Sequence, residues 1–102
     1  MTPADDLAAD LRSRFGVEEM RSRFGHEVAF RHGGMEFLHL HGTREADVRL
    51  GRERIAAERE RLVAHPGVRL RETGSSDWVI VPLRSTEDVD FVRELVDELL
   101  GA

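Results

Sequence analysis

The chain of 102 residues contains neither cysteine nor lysine. Without a thiol there can be no disulfide framework, no thiolate nucleophile and no cysteine-ligated zinc or iron–sulfur cluster. Every one of its 15 basic residues is arginine, a bias that a GC-rich genome produces by itself. The 20 acidic residues outnumber them, and a net charge of −5 withholds the positive field that phosphate-led nucleic-acid binding requires. No apolar run approaches the ~20 residues of a membrane helix. The first residues, Met1-Thr2-Pro3-Ala4-Asp5-Asp6, are acidic rather than basic, so a cytoplasmic protein without membrane contact is expected. Phosphate-loop and dinucleotide glycine patterns are missing, which argues against a nucleotide cofactor. No nucleophile-elbow sequence occurs, and Ser75 and Ser76 fall in a predicted turn with no histidine predicted beside them.

What is present suits one small domain spanning residues 1–102 with a thin core, since 40% of the residues are hydrophobic and 34% charged. Thr2-Pro3-Ala4-Asp5 opens a helix with a capping hydroxyl, proline at the first helical position and an acid in the first turn. Leu7, Leu11 and Phe15 mark one face of it, and Gly16 ends it. The pentapeptide Arg-Ser-Arg-Phe-Gly occurs at 12–16 and again at 21–25, a spacing too short for a solenoid unit. Residues 17–24 fit either a helical turn or an edge strand, with the strand preferred.

The centre of the chain is clearer. Gly33-Gly34 between two alternating segments is a two-residue hairpin signal. An unbroken ladder from that turn pairs His32 with Met35, Phe30 with Phe37, Val28 with His39, and His26 with His41, all on one face. Glu27, Ala29, Arg31, Glu36, Leu38 and Leu40 take the other face. The next strand, 46–50, then sets Ala46, Val48 and Leu50 beside His41, His39 and Phe37, with Asp47 and Arg49 on the polar side. Residues 52–65 read as a helix whose inner side carries Ile55, Arg59, Leu62 and Val63, stopped by Pro66-Gly67. Residues 68–72 and 77–83 form a second hairpin, with Val68 and Leu70 facing Val81 and Val79, and Arg71 facing Trp78. Ser85 caps the last helix with Asp88 at the box position, and Val89, Val92, Leu95, Val96 and Leu99 follow at helical spacing up to Gly101. The fold class expected is α+β, an antiparallel sheet of five or six strands with helices on one face, in the order α-(β)-β-β-β-α-β-β-α.

Two clusters carry chemistry. Side chains two apart in a strand lie ~6.6 Å apart on one face, so His39 and His41 can share a ligand, and the hairpin would bring His26 to them as a third. Three imidazoles can hold zinc with a fourth position open, as a hydrolase or lyase site needs. No carboxylate is expected on that face, although Thr43 and Glu45 can approach from the loop. The competing reading keeps these histidines as half-buried residues bonded to backbone, with no cofactor. The second cluster is Trp78 with Arg71 and Arg69, an aromatic and cationic patch suited to a protein partner or small ligand. An open sheet edge also offers a route to a homodimer.

The sequence resembles the small bacterial and archaeal luciferase-domain family. The residues that carry the likeness are Met35-Glu36-Phe37-Leu38-His39-Leu40-His41-Gly42, then Ala46-Asp47-Val48, His65 at a helix end, Ser76-Asp77-Trp78-Val79, and Arg84-Ser85-Thr86-Glu87-Asp88-Val89. The likeness covers roughly residues 24–100, and departs from the family pattern at Leu38, where glycine often precedes the histidine, and in the additional His26 and His32. It implies an accessory or binding module without catalysis of its own; the alternative is a small metal-dependent enzyme with His39 and His41 as ligands. Light emission is not expected, because a flavin or luciferin needs a deep apolar pocket of ~300 Å³ or more.

Overall fold

A computed structural model describes residues 1–21, 28–70 and 76–101. Its elements are α1 (Pro3–Arg12), β1 (Val17–Arg21), β2 (Val28–His32), β3 (Met35–His41), β4 (Glu45–Arg49), α2 (Arg52–Ala57), α3 (Arg59–Ala64), β5 (Arg69–Leu70), β6 (Trp78–Pro82) and α4 (Thr86–Leu100). The six strands form one antiparallel sheet in the order β1-β2-β3-β4-β6-β5, and the α+β class follows. Among the described residues no helix is long and apolar enough to cross a membrane.

Local chemistry explains most of the ends. Thr2 Oγ1 accepts the Asp5 amide proton while the Asp5 carboxylate accepts that of Thr2, closing a capping box around Pro3. Leu7 and Leu11 are buried as expected, but Phe15 is fully exposed because α1 stops at Arg12 and the chain turns into β1. At α4 the left-handed Gly101 closes the helix, whereas the Ser85 side chain makes no capping bond. Asp88 in the first turn instead accepts the amide proton of Arg84, the residue before the cap, at 2.7 Å. Residues 52–65 do not form one helix. The backbone breaks at Glu58 (φ −109°, ψ 19°) with no glycine or proline there, and the redirected turn buries Leu62 while leaving Arg59 and Val63 exposed.

The sheet differs from the expected ladder at one residue. Gly33 and Gly34 make the turn with φ of +60° and +80°, and His32 pairs with Met35 and Arg31 with Glu36. Beyond that the register shifts: Phe30 pairs with Leu38 and Ala29 with His39, so Phe37 is the additional residue of a bulge in β3. Phe37 and Leu38 both join the core, and the alternation restarts with Leu38 and Leu40 inward. Leu38 therefore faces Val48, Leu40 faces Ala46, and His39 faces Asp47, which overturns the expected pairing of His39 and His41 with Val48 and Ala46.

One face of this sheet packs on α1, α4 and Leu62 of α3, with Phe30, Leu38, Val48, Val79, Val81, Val92 and Val96 completely buried in between. The opposite, outer face carries a row of direct cross-strand partners, Met20, Ala29, His39, Asp47, Ile80 and Arg69, one from each strand. Partners on adjacent strands share a face, so this row crosses the full width of the sheet.

Candidate functional site

The bulge at Phe37 decides what surrounds His39. In a regular strand residues 36 and 39 would point to opposite faces; with Phe37 inserted, Glu36 and His39 share the outer one. Glu36 Oε2 lies 3.1 Å from His39 Nδ1, and Asp47 Oδ2 lies 3.0 Å from His39 Nε2. The same Asp47 oxygen lies 3.0 Å from His41 Nε2. The two imidazoles meet edge to face with centroids 5.0 Å apart. Trp78, two strands away, arches over β4 and sets its ring 4.7 Å from that of His39. That roof is why an aspartate in mid-sheet is only 2% exposed.

Burial on its own would raise the Asp47 pKa, but the hydrogen bonds and charges of His39 and His41 outweigh it and hold the carboxyl below its ordinary value. An ionised carboxylate only accepts, so both Nε2 atoms donate to the shared oxygen. Its other oxygen, Oδ1, is buried without a hydrogen-bond partner among the described residues. A buried anion that leaves one oxygen unsatisfied is in an arrangement that favours a cation.

One donor atom each from His39, His41 and Asp47 lies within 4.8 Å of the others. Two ligands at ~2.0–2.1 Å from a tetrahedral ion sit roughly 3.3 Å apart, so the 3.0 Å separations need to open by only a few tenths of an ångström. Two imidazoles and a carboxylate are a donor set suited to zinc and to non-haem iron(II). The Glu36 carboxylate at the far nitrogen of His39 is the partner that orients a ligating imidazole. His41 is 42% exposed and His39 12%, so approach from solvent is past His41.

Of the residues singled out from sequence, His39 and His41 are brought together, and His26 lies outside the described residues. Sequence reasoning missed Asp47 and Glu36, having assigned both to the face opposite the histidines. Trp78 lies against the ring of His39. Arg69 sits in the same row as Asp47 but is exposed and ion-paired with Glu45; Arg71 is outside the described residues. Beside the cluster an open groove of about 590 Å³ runs between Trp78, Arg49, Arg31 and Glu36, with Met20 and Met35 on its walls. His65 stands apart, stacked on Phe91 and bonded to Asp88 at 2.6 Å on the helical side.

An antiparallel sheet backed by helices on one side, with a histidine–carboxylate cluster on the other, defines a small α+β protein with a candidate site on its outer sheet face. The family model described as Luciferase domain matches residues 34–98, well over half of the chain, and the chain belongs to that family. The match runs from the β2–β3 turn into α4 and includes His39, His41, Asp47 and Trp78. No curated protein and no solved structure matches the chain.

Proposed function

We propose that this luciferase-domain protein holds a divalent transition-metal ion between His39 Nε2, His41 Nε2 and Asp47 Oδ2, and presents it to a small molecule on the outer face of the sheet. The observation that carries this reading is the convergence of two imidazole nitrogens on one oxygen of a buried carboxylate. When bound, an ion with three protein ligands keeps a position open for water or a substrate oxygen and polarises it. The chain's own residues supply the rest. Glu36 fixes the orientation of the His39 ring, and Trp78 shields Asp47 from water. His41 forms the exposed side through which an ion and a substrate enter.

The test is metal content and uptake. Purified protein dialysed against zinc or iron(II) should carry one ion per chain by elemental analysis, and His39→Ala should carry none. Wild-type protein that takes up neither metal, or a His39→Ala variant that takes up as much as wild type, refutes the reading.

A further inference from the structure

The groove beside the cluster is built for one class of ligand, and we infer that it takes a planar aromatic carboxylate. The inference deepens the metal-site reading by naming what lies next to the proposed ion, and it rests on that reading only for the ligand's orientation. Volume comes first: about 590 Å³ is within the ~300–1,000 Å³ typical of small-molecule sites. The shape of the lining comes next. Trp78 and Arg49 are direct cross-strand partners, so an indole and a guanidinium stand side by side in the groove. Met20 and Met35 supply polarisable thioether walls that adapt to a ring, and Met35 is 57% exposed.

Charge selects the rest of the ligand. The described contact of the Arg49 guanidinium is an ion pair with Asp77 at 3.5 Å, and both side chains are about 40% exposed. A guanidinium carries five N–H donors in a planar fork, so Arg49 has donors left for a bidentate carboxylate. Arg31, across the groove, gives one nitrogen to Glu18 at 2.9 Å on an exposed pair and adds a second positive charge. Glu36 also lines the groove, and its Oε2 is turned to His39 Nδ1 at 3.1 Å. A ligand with a single carboxylate on Arg49 and an uncharged ring over Trp78 satisfies this distribution. A phosphate, with more charge and no ring, would forgo Trp78 and both methionines and bring its charge towards Glu36.

Naphthoate and its neutral analogue naphthamide test this on the whole protein. Trp78 is the only tryptophan, so its indole N–H resonance reports binding in the groove directly. Naphthoate should shift that resonance and bind at least tenfold more tightly than naphthamide by calorimetry. Arg49→Gln should remove that preference without changing zinc affinity. Equal binding of the amide and the acid to wild type, or no movement of the Trp78 resonance, overturns the inference. Because the zinc and naphthoate titrations are separate, protein that binds naphthoate but not zinc overturns the metal reading alone. Protein that binds zinc but not naphthoate overturns the groove alone.

Discussion

His39 and Asp47 are direct partners across β3 and β4, and Asp47 Oδ2 is held at 3.0 Å by His39 Nε2 while it is held at the same distance by His41. One oxygen thus organises both rings. Replacing Asp47 by asparagine keeps the size and removes the charge, so zinc affinity should fall by more than about 100-fold. Glu36→Gln changes only the group behind His39 and should cost about 10- to 100-fold. Competition titration against a chromophoric chelator measures both. An Asp47→Asn variant that binds zinc as tightly as wild type would show that the carboxylate is not a ligand.

The bulge at Phe37 yields a prediction that runs against the usual expectation for a deletion inside a strand. Because Phe37 is the unpaired residue, a chain lacking it can keep the partners Arg31–Glu36 and Phe30–Leu38 and hold His39 on the outer face. The loss is a buried phenyl group, only 4% exposed. The stability cost should resemble a Phe→Ala truncation, about 3–5 kcal/mol. Urea unfolding should remain cooperative, and zinc should still bind. A deletion variant that folds cooperatively but has lost zinc binding would mean that the ladder had slipped instead.

That same bulge marks where the sequence stopped being readable. Gly33-Gly34 announces its turn because two successive positive φ values admit little else, and the apolar spacing of α4 leaves one possible inner face. Residues 35–41 offer two alternations, one through Phe37, His39 and His41, the other through Leu38 and Leu40. An unbroken ladder from the turn selects the first. Burial energy selects the second, because leucines gain more than imidazoles against Val48 and Ala46. The adjacent pair Phe37-Leu38 was the available signal: two large apolar residues in succession next to a partner strand can both go inward only through a bulge. Once that is seen, Asp47 moves to the histidine side and the candidate site has its carboxylate. Phe15 failed for a different reason, since the helical spacing continues past Arg12 but the helix itself does not.

Asp88 gives the pH dependence of stability. Burial would raise its pKa, but the guanidinium and amide of Arg84, together with His65, lower it from 3.8 to about 2. A carboxyl whose folded pKa lies below its unfolded value contributes its full stabilisation above the unfolded value and loses it as pH falls through the folded one. The window is therefore about pH 4 down to about pH 2, and the shift corresponds to about 2 kcal/mol. Asp88→Asn should be less stable than wild type by about that amount at neutral pH, and the difference should shrink across the window. Denaturant unfolding at closely spaced pH values measures it; a constant difference down to pH 2 would exclude this linkage.

Gly67 connects that buried carboxylate to the turn after α3. Its φ is +84°, and a Cβ there would come within 2.9 Å of Pro82 Cγ and 3.2 Å of Arg84 Nη1. Arg84 is not available to move without loss, because it donates to the Pro66 carbonyl at 2.6 Å and to both oxygens of Asp88. Gly33 has a similar positive φ of +60° but open space around the position of a Cβ. Alanine at Gly33 should cost only the left-handed strain, about 1–2 kcal/mol. At Gly67 the same strain adds to a clash with the Pro82 ring and to a displaced Arg84, so the loss should be larger and should carry part of the Asp88 pH dependence away with it. Thermal unfolding of the two alanine variants at neutral and acid pH compares them, and equal losses at both positions would mean that the Pro82 and Arg84 contacts do not constrain the turn.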